Sequence, residues 1–186
     1  MTSSLCSKNA ALRALLDRHL PALAREEGLS PESIASALEE GSMALLGNPA
    51  HEGLKPILVG QPSRIKVNAN LGTSPLCNCP ETETRKLEAA LDAGADTVMD
   101  LSIAGDLDAI RAGMLKACPL PLGTVPMYAA GQQILDAGRD ISGMRPDDLF
   151  AEIEKQARQG VDFITVHDKS KVTVTFKDGS EIKLDR

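Results

Sequence analysis

Leu12, Leu15, Leu16, Leu20 and Leu23 recur at steps of three and four, the spacing that puts apolar side chains on one stripe of a helix. The pattern predicts a helix over residues 7–27, closed by Gly28. Pro21 lies inside it and is expected to kink or break it, because proline lacks the N–H and crowds the preceding turn. Ser30-Pro31-Glu32-Ser33 reads as a second helix start, with Ser30 as N-cap and Pro31 in the first turn. That helix is expected to run to about Leu46. No strand pattern precedes Ile65, so residues 1–47 read as an N-terminal helical cap.

From Ile65 onward the pattern alternates between strand and helix. Strands are predicted over residues 64–70, 95–101, 120–127 and 161–166, with helices over 82–93, 106–118 and 146–159. Asp147 and Asp148 sit in the first turn of the last helix, where carboxylates suit the helix dipole. Glu88-Ala-Ala-Leu-Asp-Ala-Gly94-Ala-Asp96 and Glu154-Lys-Gln-Ala-Arg-Gln-Gly160-Val-Asp162 repeat one design. Each is a helix end, a glycine suited to the left-handed C′ position, an apolar residue, then an aspartate leading into a strand. The strand spacing leaves room for right-handed βαβ crossovers. The expectation for residues 48–168 is four βα units of parallel sheet. The tail, residues 169–186, changes period: Val172-Thr-Val-Thr-Phe176 and Glu181-Ile-Lys-Leu184 alternate about an Asp178-Gly179 pair, the signature of a β-hairpin. The fold class expected is α/β: a partial, half βα TIM-type barrel with an N-terminal helical cap and a C-terminal β-hairpin.

Composition narrows this picture. The chain has 186 residues, below the roughly 250 of a complete eightfold βα barrel. With no Trp, one Tyr and three Phe, the core must be built from aliphatic side chains. A net charge of -6 argues against nucleic-acid or anionic-membrane partners. No apolar run reaches the ~18 residues of a membrane span, and the first residues lack a signal core, so a cytoplasmic location is expected. Cys6 and Cys118 read as inert thiols. Cys77 and Cys79 form a C-x-C pair, too few thiols to close a tetrahedral metal site.

In βα barrels the chemistry collects at the C-terminal ends of the strands. Those ends carry Asn68 and Asn70, then Met99, Asp100 and Ser102, then Tyr128, then His167 and Asp168. Each candidate has a plainer reading: Asn70 as a turn former, Met99 as core filler, Tyr128 as a rim cap, His167 as a histidine satisfied by backbone, Asp100 as a structural acceptor. His51 reads as loop surface. Gly72-Thr-Ser74 reads as a loop whose amides are free to approach an anion.

Four ordered segments carry a resemblance: Lys66-Val-Asn-Ala-Asn70-Leu-Gly72-Thr-Ser74, Gly94-Ala-Asp-Thr-Val-Met99-Asp-Leu-Ser102, Pro121-Leu-Gly-Thr-Val-Pro-Met-Tyr128 and Gln159-Gly-Val-Asp-Phe-Ile-Thr-Val-His167. They resemble consecutive signatures of the phosphomethylpyrimidine synthase family, the radical-S-adenosylmethionine enzymes that make the thiamine pyrimidine from aminoimidazole ribotide. The steps from Asn70 to Met99 and from Met99 to Tyr128 are both 29 residues and match the family's. The step of 39 from Tyr128 to His167 is longer and implies a small insertion near residues 131–143. The resemblance covers roughly residues 48–167 and extends to the sister hydroxybenzimidazole synthases, which share substrate and cofactor.

The resemblance implies that Asn70, Met99, Tyr128 and His167 contact the ribotide. It also implies a 4Fe–4S cluster, S-adenosylmethionine and zinc as cofactors. The family's C-x2-C-x4-C cluster motif, zinc histidines and later barrel segments are missing here, so no metal ligand is assigned. A truncated or fragment form of the synthase is therefore expected. A hydroxybenzimidazole synthase or a non-catalytic ribotide-binding paralogue are the alternatives. The expected partners are the small-molecule substrate and either a second copy in a homodimer or a complementary half, with no nucleic acid and no membrane.

Overall fold

The computed structural model describes residues 9–164, 172–175 and 181–184, those from 163 onward by backbone alone. Helix α1, Ala10–Glu27, is capped by Asn9, whose Oδ1 accepts the Leu12 amide at 2.9 Å, and by Gly28. It runs unbroken through Pro21, contrary to expectation. Pro21 and Asp17 are both exposed, so the Asp17 carbonyl that loses its helical partner is left to solvent at low cost. Helix α2, Pro31–Glu40, starts as expected on Ser30, whose hydroxyl accepts the Ser33 amide.

α2 stops well short of Leu46, at Gly41. Strand β1, Met43–Leu46, follows and pairs antiparallel with β2, Ile57–Gly60, in the register Met43↔Gly60 to Leu46↔Ile57. The helical reading missed β1 because Met43, Leu45 and Leu46 also continue an apolar stripe, and a short apolar run does not separate the two periods; β2 lies in a stretch where no strand was expected before Ile65. The stripes of α1 and α2 close on this pair. Leu16, Leu23, Ile34, Ala37, Leu38, Met43 and Leu58 form one apolar cluster, with Ile34 and Leu58 fully buried.

The main sheet is parallel and four-stranded, in the order β3-β4-β5-β6: β3 Asn68–Leu71, β4 Thr97–Asp100, β5 Leu122–Thr124 and β6 Phe163–Ile164. Helices α3, Pro80–Asp92, and α4, Leu107–Ala117, connect the first three strands. Leu71, Val98 and Leu122 face these helices and pack with Leu87, Ile110, Met114, Leu115 and Cys118 in a second cluster. β5 is shorter than the sequence pattern suggested. Helix α5, Pro126–Asp136, begins directly after it, followed by a 3-10 turn, Ile141–Gly143, and α6, Pro146–Gln159. Pro126 bounds a strand less than it opens a helix, at the first-turn position proline favours; Ala129, Ala130 and Ile134 then supply the buried stripe.

Gly94 (φ 78°) and Gly160 (φ 106°) both take the left-handed conformation, and the aspartates after them act alike. Asp96 accepts the Val67 amide at 2.8 Å and Asp162 accepts the Leu122 amide at 2.7 Å. Each carboxylate thus fastens the start of the neighbouring strand. Strands β7, Val172–Thr175, and β8, Glu181–Leu184, pair antiparallel; the Asp178-Gly179 turn expected between them lies outside the described residues.

Candidate functional site

Parallel register sets Asn68 beside Thr97 and Asn70 beside Met99. In-register neighbours share a face, and here it is the face turned away from α3 and α4. Both asparagines are exposed, Met99 is half-buried and Thr97 is buried. The Thr97 hydroxyl donates to Asn68 Oδ1 at 2.8 Å, and Asn68 Nδ2 donates to Asn70 Oδ1 at 2.7 Å. The same register continues from Met99 to Gly123 and then Phe163. Tyr128 stands in the first turn of α5, not at a strand end, and is 39% exposed. Asn70 and Met99 are therefore adjacent, Tyr128 follows β5 by one short turn, and His167 lies outside the described residues.

The loops above β3 and β4 are bonded to each other. Gly72 donates its amide to the buried Glu83 at 2.8 Å, while Lys86 Nζ reaches the Gly72 carbonyl at 3.2 Å and Glu83 Oε1 at 2.5 Å. Thr73 donates its amide to Ser102 Oγ and its hydroxyl to the Ala104 carbonyl, and Ser74 donates its amide to Cys77. All three amides of Gly72-Thr-Ser74 are spent, so the free anion cradle read from the sequence does not exist. A buried carboxylate occupies its first amide, which would repel an anion.

Asp100 and Ser102 also turn from the candidate face. Asp100 accepts the Ser102 amide at 2.9 Å, and its other oxygen lies 4.0 Å from Arg111 Nε. Arg111 is buried between α4 and α6 and donates to Asp108 at 3.1 Å and Gln159 at 2.8 Å. Glu152, also buried, accepts from Gln156 and Gln133, and Gln156 accepts from Thr124. These polar groups fix the helices to the strand ends from behind.

His51 is buried, contrary to the surface reading. Nδ1 lies 2.6 Å from Asp162 Oδ2 and Nε2 lies 2.8 Å from the Cys118 carbonyl. Asp162 also accepts from the amides of Asn48 and Leu122. A carbonyl only accepts, so Nε2 carries the proton that faces Cys118, and a proton on Nδ1 facing Asp162 would complete an imidazolium, the form this geometry favours. Burial pulls its pKa down; the hydrogen bond and charge of Asp162 and the carbonyls of Cys118 and Leu115 outweigh that and leave it above 6.5. The pair lies at the N-terminal end of the sheet, away from the candidate face. Its only sequence signal was the Asp162 of the repeated Gly-x-Asp design, and no local pattern pointed from there back to His51.

The structure defines an α/β protein with a parallel sheet and two asparagines on one strand face, and the comparisons with known proteins narrow that class. The model of the Radical SAM ThiC family matches residues 7–179. The chain is 44% identical over 145 residues to the phosphomethylpyrimidine synthase of Pyrococcus abyssi, covering 78% of this chain and 34% of that enzyme. To the phosphomethylpyrimidine synthase of Desulforudis audaxviator it is 42% identical over 158 residues, 85% of this chain and 37% of that one. To that of Desulfotalea psychrophila it is 45% identical over 141 residues, 76% and 32% of the two chains. The chain belongs to the Radical SAM ThiC family, and it spans about a third of the length of the curated relatives it matches.

Radical-S-adenosylmethionine membership implies a 4Fe–4S cluster and S-adenosylmethionine. The described residues do not fit the cluster. Among the described residues no group of three or more His, Cys, Asp or Glu could hold a metal ion. Cys118 is buried, with its thiol donating to the Leu120 carbonyl, and burial holds its pKa above 9.0. Cys77 and Cys79 offer two sulfurs, of which Cys79 already donates to Glu81. No helix among the described residues is long and apolar enough to cross a membrane.

Proposed function

We propose that this chain forms the ribotide-binding first half of a βα barrel of phosphomethylpyrimidine synthase type, the system that converts aminoimidazole ribotide to the thiamine pyrimidine phosphate. Asn70, Met99, Tyr128 and His167 are its substrate contacts. The observation that carries the reading is the register that sets Asn70 beside Met99 on one face of the sheet, with Tyr128 one turn beyond β5. Asn70 offers an amide, Tyr128 a phenol and His167 a ring that titrates near neutral pH, while Met99 gives apolar contact to the flat imidazole.

When bound, the cluster and S-adenosylmethionine supply the radical chemistry. Their ligands are not among the described residues, so the role of this chain is to bind and orient the ribotide. A second reading, a ribotide-binding protein without catalysis of its own, is favoured by that same misfit. β3 and β6 each have a strand neighbour on one side only among the described residues, so pairing with a second copy or a complementary half would extend the sheet. Calorimetry with aminoimidazole ribotide tests the binding. Saturable binding that Asn70→Ala and His167→Ala each weaken by about tenfold, the scale of one or two polar contacts, is expected; no measurable binding removes the reading. Light scattering tests the pairing: a dimer is expected, and a strict monomer rules out pairing with a second copy.

A further inference from the structure

We infer that Thr97 and Asn68 are positioning residues that lock the Asn70 amide with its nitrogen outward, so that Asn70 recognises a hydrogen-bond acceptor on the ligand. This rests on Asn70 being a substrate contact. As the structure orients the two amides, the hydrogen bonds run one way. Thr97 is buried, with 4% of its surface exposed, and donates its hydroxyl proton to Asn68 Oδ1. With its oxygen so engaged, Asn68 has its Nδ2 to offer, and donates it to Asn70 Oδ1. Asn70 Oδ1 is thereby turned back along its own strand toward Asn68. Its Nδ2 has no partner among the described residues, while the side chain is exposed. An amide has two donors on one end and an acceptor on the other, so fixing the oxygen fixes the group presented to a ligand.

A free asparagine can rotate to meet either a donor or an acceptor. This one is committed before the ligand arrives, which saves the ordering cost of its rotamer and discriminates by polarity. The ligand group that meets it is an acceptor: a phosphate or hydroxyl oxygen, or an unprotonated ring nitrogen. A ligand amine at this point would find an N–H facing it. Register supplies the device. Asn68 and Thr97 are Cα partners across β3 and β4, and Asn68 and Asn70 are two residues apart on one strand, the spacing that returns side chains to the same face.

The test is binding of aminoimidazole ribotide to the full chain, by calorimetry, with variants that keep shape and change polarity. Asn70→Asp replaces the outward donor by a carboxylate oxygen and should weaken binding by at least about tenfold. Thr97→Val keeps the buried volume and removes the hydroxyl; Asn68→Ala removes the middle link at an exposed position, where folding is not at risk. Each should weaken binding by about 3- to 10-fold, the scale of one neutral hydrogen bond. Thr97→Ser should restore affinity to within about twofold. On an Asn70→Ala background, Thr97→Val should cost nothing further, because its effect runs through Asn70.

If Asn70→Ala itself leaves affinity unchanged, the substrate-contact reading falls and this inference with it. If Asn70→Ala weakens binding while Thr97→Val and Asn68→Ala do not, the positioning role is wrong and the contact reading stands. Tight binding by Asn70→Asp would mean that the oxygen end faces the ligand, which overturns the assigned polarity.

Discussion

At the scale of single residues, buried polar atoms leave no slack. His51 and Asp162 share a proton-rich contact with side chains 1% and 0% exposed. Removing one partner strands the other charge, so His51→Ala should cost about 3–5 kcal/mol of unfolding free energy, read by urea denaturation. The pH dependence has a definite sign. The folded pKa of His51 lies above the unfolded value of 6.5, so its stabilisation is complete below that value and is lost as pH rises through the folded pKa. Stability measured between about pH 5.5 and 8.5 should fall toward the alkaline end, and His51→Ala should flatten that fall; an unchanged slope in the variant would mean that another group titrates. Gly72 is the second tight point. At φ 146°, a Cβ there would lie 2.5 Å from the Ser102 amide nitrogen and 2.6 Å from the Leu101 carbonyl carbon. Gly72→Ala should destabilise by about 1–3 kcal/mol from overpacking alone, lowering the melting temperature, and a neutral substitution would mean that the β3 and β4 loops move apart easily.

Between elements, α4 and α6 meet the strand ends through charge. Arg111 lies within 4.0 Å of Asp100, Asp108 and Glu152. Arg111→Met would keep the packing stem and leave Asp100 and Glu152 buried with less cation nearby, for an expected loss of about 3–5 kcal/mol in chemical denaturation; a loss under about 1 kcal/mol would show that water already reaches these carboxylates. How much of this was legible in sequence depends on whether the cause was local. The end of α1 and the starts of α2 and α6 were legible because they are written in neighbouring residues: Gly28, Ser30, Pro146; the Asn9 cap was not read, and the helix was expected to begin at residue 7. The β3 and β4 strands and the Gly-x-Asp design were legible for the same reason. β1 and β2 were not, because their strand state comes from pairing with each other and from packing under α1 and α2. α5 was hidden by Pro126, which marks a helix start as readily as a strand end. The adjacency of Asn70 and Met99 followed from parallel register alone, whereas the engagement of the Gly72 amide required Glu83, and His51 required Asp162, more than a hundred residues away.

Across the whole molecule, two apolar clusters are tied by polar bridges. Glu27 at the end of α1 pairs with Lys66 at 2.9 Å and accepts the Arg64 amide. The segment between β1 and β2 sends Asn48 and His51 to Asp162, and the Lys55 amide to the Pro119 carbonyl. These bridges hold Asp162 and Cys118 in place, and that has a consequence for metal binding. Gathering three sulfurs for a 4Fe–4S cluster from the cysteines among the described residues, Cys77, Cys79 and Cys118, would require Cys118 to leave a site where its thiol donates to Leu120 and burial opposes ionisation. It would also have to reach the Cys77 and Cys79 loop, which lies between β3 and α3, across a core containing Leu87 and Leu122. A thiol that resists deprotonation is a poor iron ligand. Anaerobic reconstitution with iron and sulfide should therefore give well below one cluster per chain and no cleavage of S-adenosylmethionine, while aminoimidazole ribotide still binds. One 4Fe–4S cluster per chain, with S-adenosylmethionine cleaved, would mean that this chain gathers its own ligands in spite of the packing around Cys118. It would overturn the division of labour proposed here, in which this chain holds the ribotide and the radical chemistry is supplied from elsewhere.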